Sequence, residues 1–266
     1  MCMPSKTRAM CLMSRHRLHN GLSIRGSSAA VAAPLTFIQK VAAVETANLL
    51  DFWTLNDTVG PTAVDNINAL RNGTYVAAPT LQNALFLDGV SKAPLFVPAS
   101  TQWVNIYTTG GSGLSTLFSG AEGSILLWIK VTLAHWNDAN AYGFWALHVD
   151  ASNIITATKI SANNLQLSYV SGGTQKQVTI GAMSAATWQA LVTTWSHTNN
   201  RVRHYLNGTQ QGADLVGPPA FVGTLADAAL MALSIGATPG VDNGAMGALW
   251  TKELTPTEVL TVSTAP

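Results

Sequence analysis

The acidic residues are the side chains that could support hydrolysis, and the sequence does not pair them. Retaining hydrolysis of a glycosidic bond needs two carboxyl groups about 5 Å apart, one acting as nucleophile and the other as acid and base. On a β-strand such a pair would stand at alternate positions, because successive side chains point to opposite faces. None of the glutamates has an Asp or Glu at an alternate position, so the sequence predicts no enzyme and no catalytic residues. The four glutamates are Glu45, Glu122, Glu253 and Glu258.

Other motifs that carry chemistry are also missing from the sequence. It has no Gly-x-Ser-x-Gly nucleophile turn, no phosphate-binding loop of the Walker type and no dinucleotide-binding glycine pattern. The glycine-rich stretch 110–113 is predicted to be a flexible loop, because neither a basic residue nor a helix start follows it. The histidines are scattered: His16 and His19 have only a weak metal-binding spacing, and His204 is expected to face solvent. The sequence therefore predicts no cofactor and no metal site, and it identifies no ligand-binding residue.

Alternation of apolar and polar residues predicts that the body of the chain is built from β-strands. The patterns recur roughly every ten residues with turn residues between them, which favours a sandwich or a barrel. Asn207-Gly208 lies between two patterns and predicts a hairpin. A short amphipathic helix is predicted over 35–46, and Thr255, Pro256 and Glu258 predict a capped last helix. The strand patterns cover 49–55, 85–87, 103–107, 124–131, 143–149, 154–160, 164–170, 175–180, 188–195, 201–208, 233–236 and 247–256.

The eight tryptophans are predicted to supply much of the packing, because an indole ring buries a large apolar surface. Four of them lie inside strand patterns and are predicted to be core anchors. Three others follow no clear pattern, so a role in contacting a ligand stays open for them. The first group is Trp53, Trp128, Trp195 and Trp250, and the second is Trp103, Trp136 and Trp145.

Residues 1–46 differ in charge from the rest of the chain. They are predicted to form a basic N-terminal arm or linker that ends in the short helix, followed by a sandwich domain over 47–266. The first 44 residues carry six Lys or Arg and no acid, which leaves eight basic and thirteen acidic residues, a net charge of −5, in the remainder. Such an asymmetry is typical of an interaction tail. A disordered leader, a start codon assigned too far upstream and a cleaved signal peptide around 27–35 stay open as alternatives.

The composition of the arm favours a protein partner over nucleic acid. Its basic residues could neutralise phosphates, but no aromatic residues are interleaved with them for base stacking.

Cys2 and Cys11 both lie in the arm, so the body can have no disulfide framework and depends on its apolar core. No apolar run reaches the ~18 residues of a membrane span. Charged residues make up only 10% of the chain, which suits an extracellular protein or a packed assembly.

Six segments occur in a recognisable order: Phe52–Asp57, Thr62–Tyr75, Phe86–Gly89, Glu122–Trp128, Trp188–Gly208 and Ile235–Pro256. Over about 47–262 they resemble the concanavalin A-like lectin/glucanase superfamily, in its laminin-G-like jelly-roll branch. The resemblance implies an all-β antiparallel sandwich and says little about function. A short helix at Phe37–Ala43 before the first motif, and the ending Leu249–Pro256, are similar to tail and capsid-surface proteins of bacteriophages.

The laminin-G-like resemblance also raises the question of calcium. That branch often holds the ion with oxygen ligands, and Asp65, Asn72 and Asp88 match acidic or amide positions of its pattern. Two departures count against a site: 242–247 has no acid beside its strand, and Lys92 follows the third motif where an Asn-Asp pair is usual. We predict that Asp65 and Asp88 instead bind turn amides, with calcium near them as the alternative.

The leading functional hypothesis is a non-catalytic structural or adhesion module on a virion surface, such as a phage decoration or tail-associated protein. Its arm would bind other virion or surface proteins in an assembly or oligomer, while the sandwich would face outward and could contact glycans. The alternative is a secreted carbohydrate-binding lectin domain, and a third possibility is a glycosidase built on the same sandwich. The expected location is a virion surface or the extracellular space.

Overall fold

The computed structural model describes residues 35–181, 183–234 and 237–264, so most of the predicted basic arm lies outside the described residues. No helix within these ranges is long and apolar enough to span a bilayer.

The helices are α1 (Phe37–Ala43), α2 (Leu114–Leu117), α3 (Leu133–Asn137) and α4 (Pro256–Ser263), with 3₁₀ turns at Ala69–Arg71 and Pro98–Ser100. The strands are β1 (Leu49–Trp53), β2 (Thr62–Ala63), β3 (Gly73–Val76), β4 (Thr80–Leu85), β5 (Lys92–Phe96), β6 (Trp103–Asn105), β7 (Glu122–Lys130), β8 (Tyr142–Asp150), β9 (Asn153–Ser161), β10 (Asn164–Ser171), β11 (Thr174–Ile180), β12 (Gln189–Ser196), β13 (Arg201–Leu206), β14 (Thr209–Gln210), β15 (Leu215–Val216), β16 (Asp227–Leu230), β17 (Ala232–Ser234), β18 (Ala237–Pro239) and β19 (Asp242–Trp250).

The strands form two large antiparallel sheets. The nine-stranded sheet has the order β14-β13-β12-β7-β19-β5-β4, with β15 also paired to β13. Strand β19 pairs with β5 at its start, where Asp242 stands opposite Phe96, and with β1 towards its end. The eight-stranded sheet has the order β11-β10-β9-β8-β16-β6-β3-β2, and β17 pairs with β18. This arrangement confirms the predicted all-β antiparallel sandwich.

The strand predictions over 124–180 agree with β7 to β11 within two residues at each end. The predicted hairpin is also present, because Asn207 and Gly208 both have left-handed backbone angles between β13 and β14. The prediction for 85–87 was wrong, since β4 ends at Leu85 and a turn follows. The apolar Phe86 in that turn is buried against the outer face of the nine-stranded sheet, where it contacts Trp128, so its hydrophobicity reflects packing and not strand alternation.

An apolar core fills the space between the two sheets. Trp53 and Trp195, two of the predicted anchors, are each 1% exposed within it. The Trp195 ring lies directly over Gly123, where an added Cβ atom would come within 2.3 Å of the indole, so glycine at that position permits the close approach of β12 and β7. The large indole surfaces buried here account for much of the hydrophobic stabilisation of a body without disulfides.

A second apolar layer covers the outer face of the nine-stranded sheet. Phe37 of α1 and Val259 of α4 are fully buried there. The Trp128 ring stands edge-on to Phe37 with ring centroids 5.5 Å apart, and its Nε1 donates to the Val262 carbonyl oxygen of α4. Trp250, another predicted anchor, donates from Nε1 to the Val44 carbonyl oxygen. The helix expected over 35–46 is therefore observed as α1 and packs against the sandwich.

The outer face of the eight-stranded sheet has a different composition. On β9 and β10, Ile155 and Leu167 belong to the core between the sheets, so the residues next to them point outward. These alternate positions, and the edge strand β11, carry hydroxyl and amide side chains, and Gln175 Nε2 donates to Ser168 Oγ at 3.0 Å. The polar members of the outward set are Thr156, Thr158, Gln166, Ser168, Gln175, Gln177 and Thr179, and the aliphatic Ile154, Ile160 and Val170 share that face.

Candidate functional site

A cleft at one end of the sandwich combines apolar walls with a histidine and a carboxylate. Its lining comes from the end of β5 and the residues that follow it, from α3, and from the first residues of β8 and β19, so both sheets contribute to it. The cavity volume is about 400 Å³, within the range of small-molecule sites. The lining residues are Leu95, Phe96, Val97, Pro98, Ala99, His135, Tyr142 and Asp242.

Asp242 fixes the orientation of the histidine. Its Oδ2 accepts hydrogen bonds from the Thr132 backbone N at 2.7 Å, from Thr132 Oγ1 at 3.0 Å and from His135 Nδ1 at 2.9 Å. The imidazole therefore carries its proton on Nδ1, and a neutral ring has its lone pair on Nε2. Nε2 has no hydrogen-bond partner among the described residues. The side chain of His135 is 37% exposed, so Nε2 can accept from a ligand in the cleft.

The local sequence explains why these groups meet. Thr132 is the N-cap of α3, and its Oγ1 accepts from the His135 backbone N, which places the histidine at the third helical position. Asp242 begins β19 with a left-handed φ of 61°, a conformation that aspartate tolerates better than most residues. The β19–β5 pairing then sets its carboxylate opposite Phe96 and against α3.

Tyr142 provides a rigid aromatic wall. Its hydroxyl donates to Asp138 Oδ2, and Lys159 Nζ lies 5.1 Å from the ring centroid. Lys159 is fully buried and donates to Asp138 Oδ1 at 2.9 Å, to the Asp138 carbonyl oxygen and to the Asn140 carbonyl oxygen. Burial raises the pKa of Asp138, but hydrogen bonds from Tyr142, Lys159 and Asn140 outweigh it and lower that pKa to about 2. Burial raises the pKa of Tyr142, so its hydroxyl stays protonated.

The cleft thus presents an aromatic and aliphatic surface beside a hydrogen-bond acceptor and a buried carboxylate. An amphipathic molecule with apolar CH groups on one side and hydroxyl groups on the other could pack on Val97, Pro98 and Ala99 and donate to His135 Nε2. The lining has one carboxylate, Asp242, and its Oδ2 is already occupied by Thr132 and His135. This arrangement is suited to binding.

The two aspartates considered for calcium are engaged by their own turns. Asp65 is 3% exposed and accepts from the backbone N of Phe52 and Ile67 through Oδ1, both at 2.9 Å. Asp88 accepts from the backbone N of Val90 and Ser91. Partial burial raises the pKa of Asp88, but the hydrogen bonds from Ser91 and Val90 have the larger, opposite effect. The pKa of Asp88 is therefore below its ordinary value. Within the described residues, no group of three or more His, Cys, Asp or Glu side chains could hold a metal ion.

A buried ionic cluster lies near Asp65. Arg71 donates to Asp51 through Nε and to the Leu50 carbonyl oxygen at 2.6 Å through Nη2. Its Nη1 donates to the Ser112 carbonyl oxygen and so attaches the glycine-rich loop 110–113 to the sandwich. Burial, the largest influence, raises the pKa of Asp51 to about 7 although Arg71 lowers it. Asp51 is inaccessible to a ligand, and the cluster holds β1 and this loop together.

His204 does not face solvent as predicted. It is 1% exposed, and its Nδ1 lies 2.9 Å from Thr193 Oγ1. Val202 lies in the core between the sheets, and strand alternation turns His204 to the same side. The neighbouring Arg203 points to the other side of the sheet and forms a two-point ion pair with Asp214.

The tryptophans with an open role are all buried. Trp103 and Trp136 are 4% exposed, and Trp145 is inaccessible. Trp136 of α3 and Trp145 of β8 belong to the core between the sheets, and Trp103 packs against Ala229 and Ala232. None of these rings lines the cleft, whose aromatic lining residues are Phe96, His135 and Tyr142.

The sequence carried only a partial signal for the cleft. The spacing of Thr132 and His135 is that of a capped helical turn, and Asp242 precedes a strand-like run. The aspartate and the histidine are 107 residues apart in the chain, and nothing local connects them. The laminin-G-like pattern has its acid within the strand that follows 242–247 and not at position 242, so Asp242 was not predicted as a site residue.

No protein-family model matches the chain, and no curated protein matches its sequence. Solved structures do match its fold. Domain 4 of the extracellular arabinanase AbnA from Geobacillus stearothermophilus, solved with arabinotriose, is 16% identical with a TM-score of 0.59, and the match covers 82% of this chain and 98% of that one. The botulinum neurotoxin serotype D binding domain is 12% identical with a TM-score of 0.61, over 81% of this chain and 51% of that one. A Trypanosoma rangeli sialidase mutant is 12% identical with a TM-score of 0.57, and the match covers 84% of this chain and 35% of that one.

These likenesses concern the fold alone, because the sequence identities are low. They agree with the jelly-roll sandwich that the resemblance to concanavalin A-like proteins implies.

Proposed function

We propose that this protein is a non-catalytic glycan-binding module and that the His135–Asp242 cleft is its ligand site. The observation that carries the proposal is the fixed imidazole, which turns a hydrogen-bond acceptor toward a cleft walled by Tyr142 and Pro98. Sugars combine an apolar CH face with hydroxyl donors, and such a site complements both. The match to an arabinanase domain solved with arabinotriose supports the same ligand class.

The positions of the acidic side chains support a role without catalysis. Glu253 is 5% exposed and accepts from Arg201 Nε at 2.7 Å. Glu45 pairs with Lys252, and Glu258 caps α4. These carboxylates belong to ion pairs and a helix cap outside the cleft, whereas hydrolysis by two carboxyl groups requires both to flank one glycosidic bond.

Binding to soluble oligosaccharides tests this proposal. We expect the wild-type protein to bind at least one neutral oligosaccharide on a glycan array and in calorimetry, and His135→Ala to weaken that binding by about tenfold or more, because the acceptor is lost. A matched control is His197→Ala, whose Nε2 lies 2.6 Å from the Pro219 carbonyl oxygen outside the cleft lining. A flat array, or equal losses in both variants with unchanged melting temperatures, would contradict the proposal.

A virion surface is the more specific location that we propose for the module. The phage-like order of Phe37–Ala43 before the first motif, and the ending Leu249–Pro256, support it, and the basic residues before residue 45 would dock on an acidic partner protein. Mass spectrometry of purified particles should then detect the protein in a fixed ratio to capsid or tail subunits. Particles that lack it, together with protein in the culture medium, would favour a secreted lectin.

A further inference from the structure

We propose that the cleft selects neutral or amine-bearing sugars and discriminates against acidic ones, an inference that rests on the glycan-binding function proposed above. The lining contains no Lys or Arg. Its one carboxylate, Asp242, lies at the base of the cleft with 6% of its side chain exposed. At a pH where an ordinary imidazole is uncharged, an anionic sugar would therefore meet a negative charge and would find no cationic side chain in the lining.

Among the described residues, Asp242 forms no ion pair with a Lys or Arg, and the ion-pair partner that its carboxylate has is His135. Lys159, which lies over the Tyr142 ring, uses its Nζ for Asp138 Oδ1 and two carbonyl oxygens, and its side chain is fully buried. The charge of Asp138 is balanced by this lysine. Thr132 and His135 stabilise the Asp242 carboxylate through hydrogen bonds.

The expected size of the discrimination follows from Coulomb's law. A sugar carboxylate about 6 Å from Asp242, in a partly solvated cleft, would be disfavoured on the order of tenfold. Desolvating a second anion without a cationic partner adds to this penalty. An ammonium group on a sugar would instead be attracted to the same carboxylate.

Matched sugar pairs test the inference. Oligogalactosides and oligogalacturonates are titrated into the wild-type protein and into Asp242→Asn at about pH 8, where an ordinary imidazole is uncharged. Asparagine keeps the shape, can accept from His135 Nδ1 and tolerates the left-handed backbone. We expect the wild type to bind the neutral oligomer at least tenfold more tightly, and Asp242→Asn to reduce the ratio to about threefold or less.

Two controls keep the outcome decisive. Asp150→Asn removes one carboxylate from the exposed β8–β9 turn and should leave the ratio unchanged. The wild-type ratio should also fall in 1 M NaCl, where the Debye length is about 3 Å, which tests the electrostatic term even if Asp242→Asn does not fold. A wild type that binds the galacturonate as tightly as the neutral oligomer would overturn this inference alone. Absence of binding to any sugar would overturn the proposed function and the inference with it.

Discussion

The outer faces of the two sheets follow the same backbone rule but differ in the chemistry of their side chains. In both sheets every second residue of a strand points away from the core between the sheets. On the nine-stranded sheet those outward positions include Trp128 and Trp250, and α1 and α4 pack over them. On the eight-stranded sheet they include Thr156 and Gln177, and Gln177 is exposed. Aromatic outward residues thus accompany the helical layer on one sheet, whereas the outward positions of β9 to β11 are mostly polar.

The largest expected effect is on the covered face. Replacing Trp128 by Ala removes the ring that contacts Phe37 and Phe86 and the hydrogen bond to the Val262 carbonyl oxygen. We expect the free energy of unfolding to fall by about 3–5 kcal/mol, the usual cost of a large aromatic truncation in a core. Denaturant titration followed by tryptophan fluorescence measures this loss. A loss below about 1 kcal/mol would mean that the helical layer adds little to the fold.

The inner face provides a pH-dependent test through His204. Burial lowers the pKa of His204 to about 4. The unfolded chain binds a proton at this residue below about pH 6.5 while the folded protein does not, so stability falls as pH falls from about 6.5 to about 4. Over that pH range the free energy of unfolding should fall by about 3 kcal/mol. Thermal melts of the wild type and His204→Gln from pH 8 to pH 4 check this, because the variant should lose most of the dependence. If the wild type and His204→Gln lose stability equally as pH falls, a group other than His204 is responsible for the pH dependence.

A smaller effect is expected at the cap of the covering helix α4. Thr255 Oγ1 accepts from the Glu258 backbone N, and Glu258 Oε2 accepts from the Thr255 backbone N. Thr255→Ala should therefore lower the free energy of unfolding by about 1 kcal/mol, whereas Thr255→Ser should be nearly neutral. Chemical denaturation of the three proteins compares them. Equal destabilisation by both substitutions would show that the methyl group of Thr255, and not the cap, stabilises α4.

The smallest effect is expected on the polar face. Gln177 is exposed on the edge strand β11, opposite Ser168 of β10. Because an exposed polar side chain contributes little to folding, Gln177→Ala should change the free energy of unfolding by no more than about 0.5 kcal/mol. The same denaturant titration used for Trp128→Ala provides the measurement. A loss comparable to that of Trp128→Ala would remove the contrast between the two faces.

Several structural features could be predicted because they depend on neighbours along the chain. Strand alternation located β7 to β11, Asn207-Gly208 gave the hairpin, and Thr255 marked the start of α4. The error at 85–87 has a physical cause. Phe86 is apolar because it packs under Trp188 and Trp128 across the outer face, and a turn can supply such a residue as well as a strand can.

Other features could not be predicted because they depend on which strands become neighbours. His204 lies inward because Val202 sets the phase of β13, and the residues on either side of His204 gave no indication of that phase. Trp128 of β7 could be recognised as buried, but not as covered by α1 and α4.

The sequence by itself determined the antiparallel sandwich, the burial of four indole rings in strands, and the lack of paired glutamates, since each of these is a property of residue type and short-range spacing. Tertiary structure alone decided the cleft, because Asp242 and His135 meet across 107 residues only when β19 pairs with β5 and β7. Hydrophobic alternation fixes which side of a strand is buried. It does not specify which distant side chains the closed sandwich brings within hydrogen-bonding distance of each other.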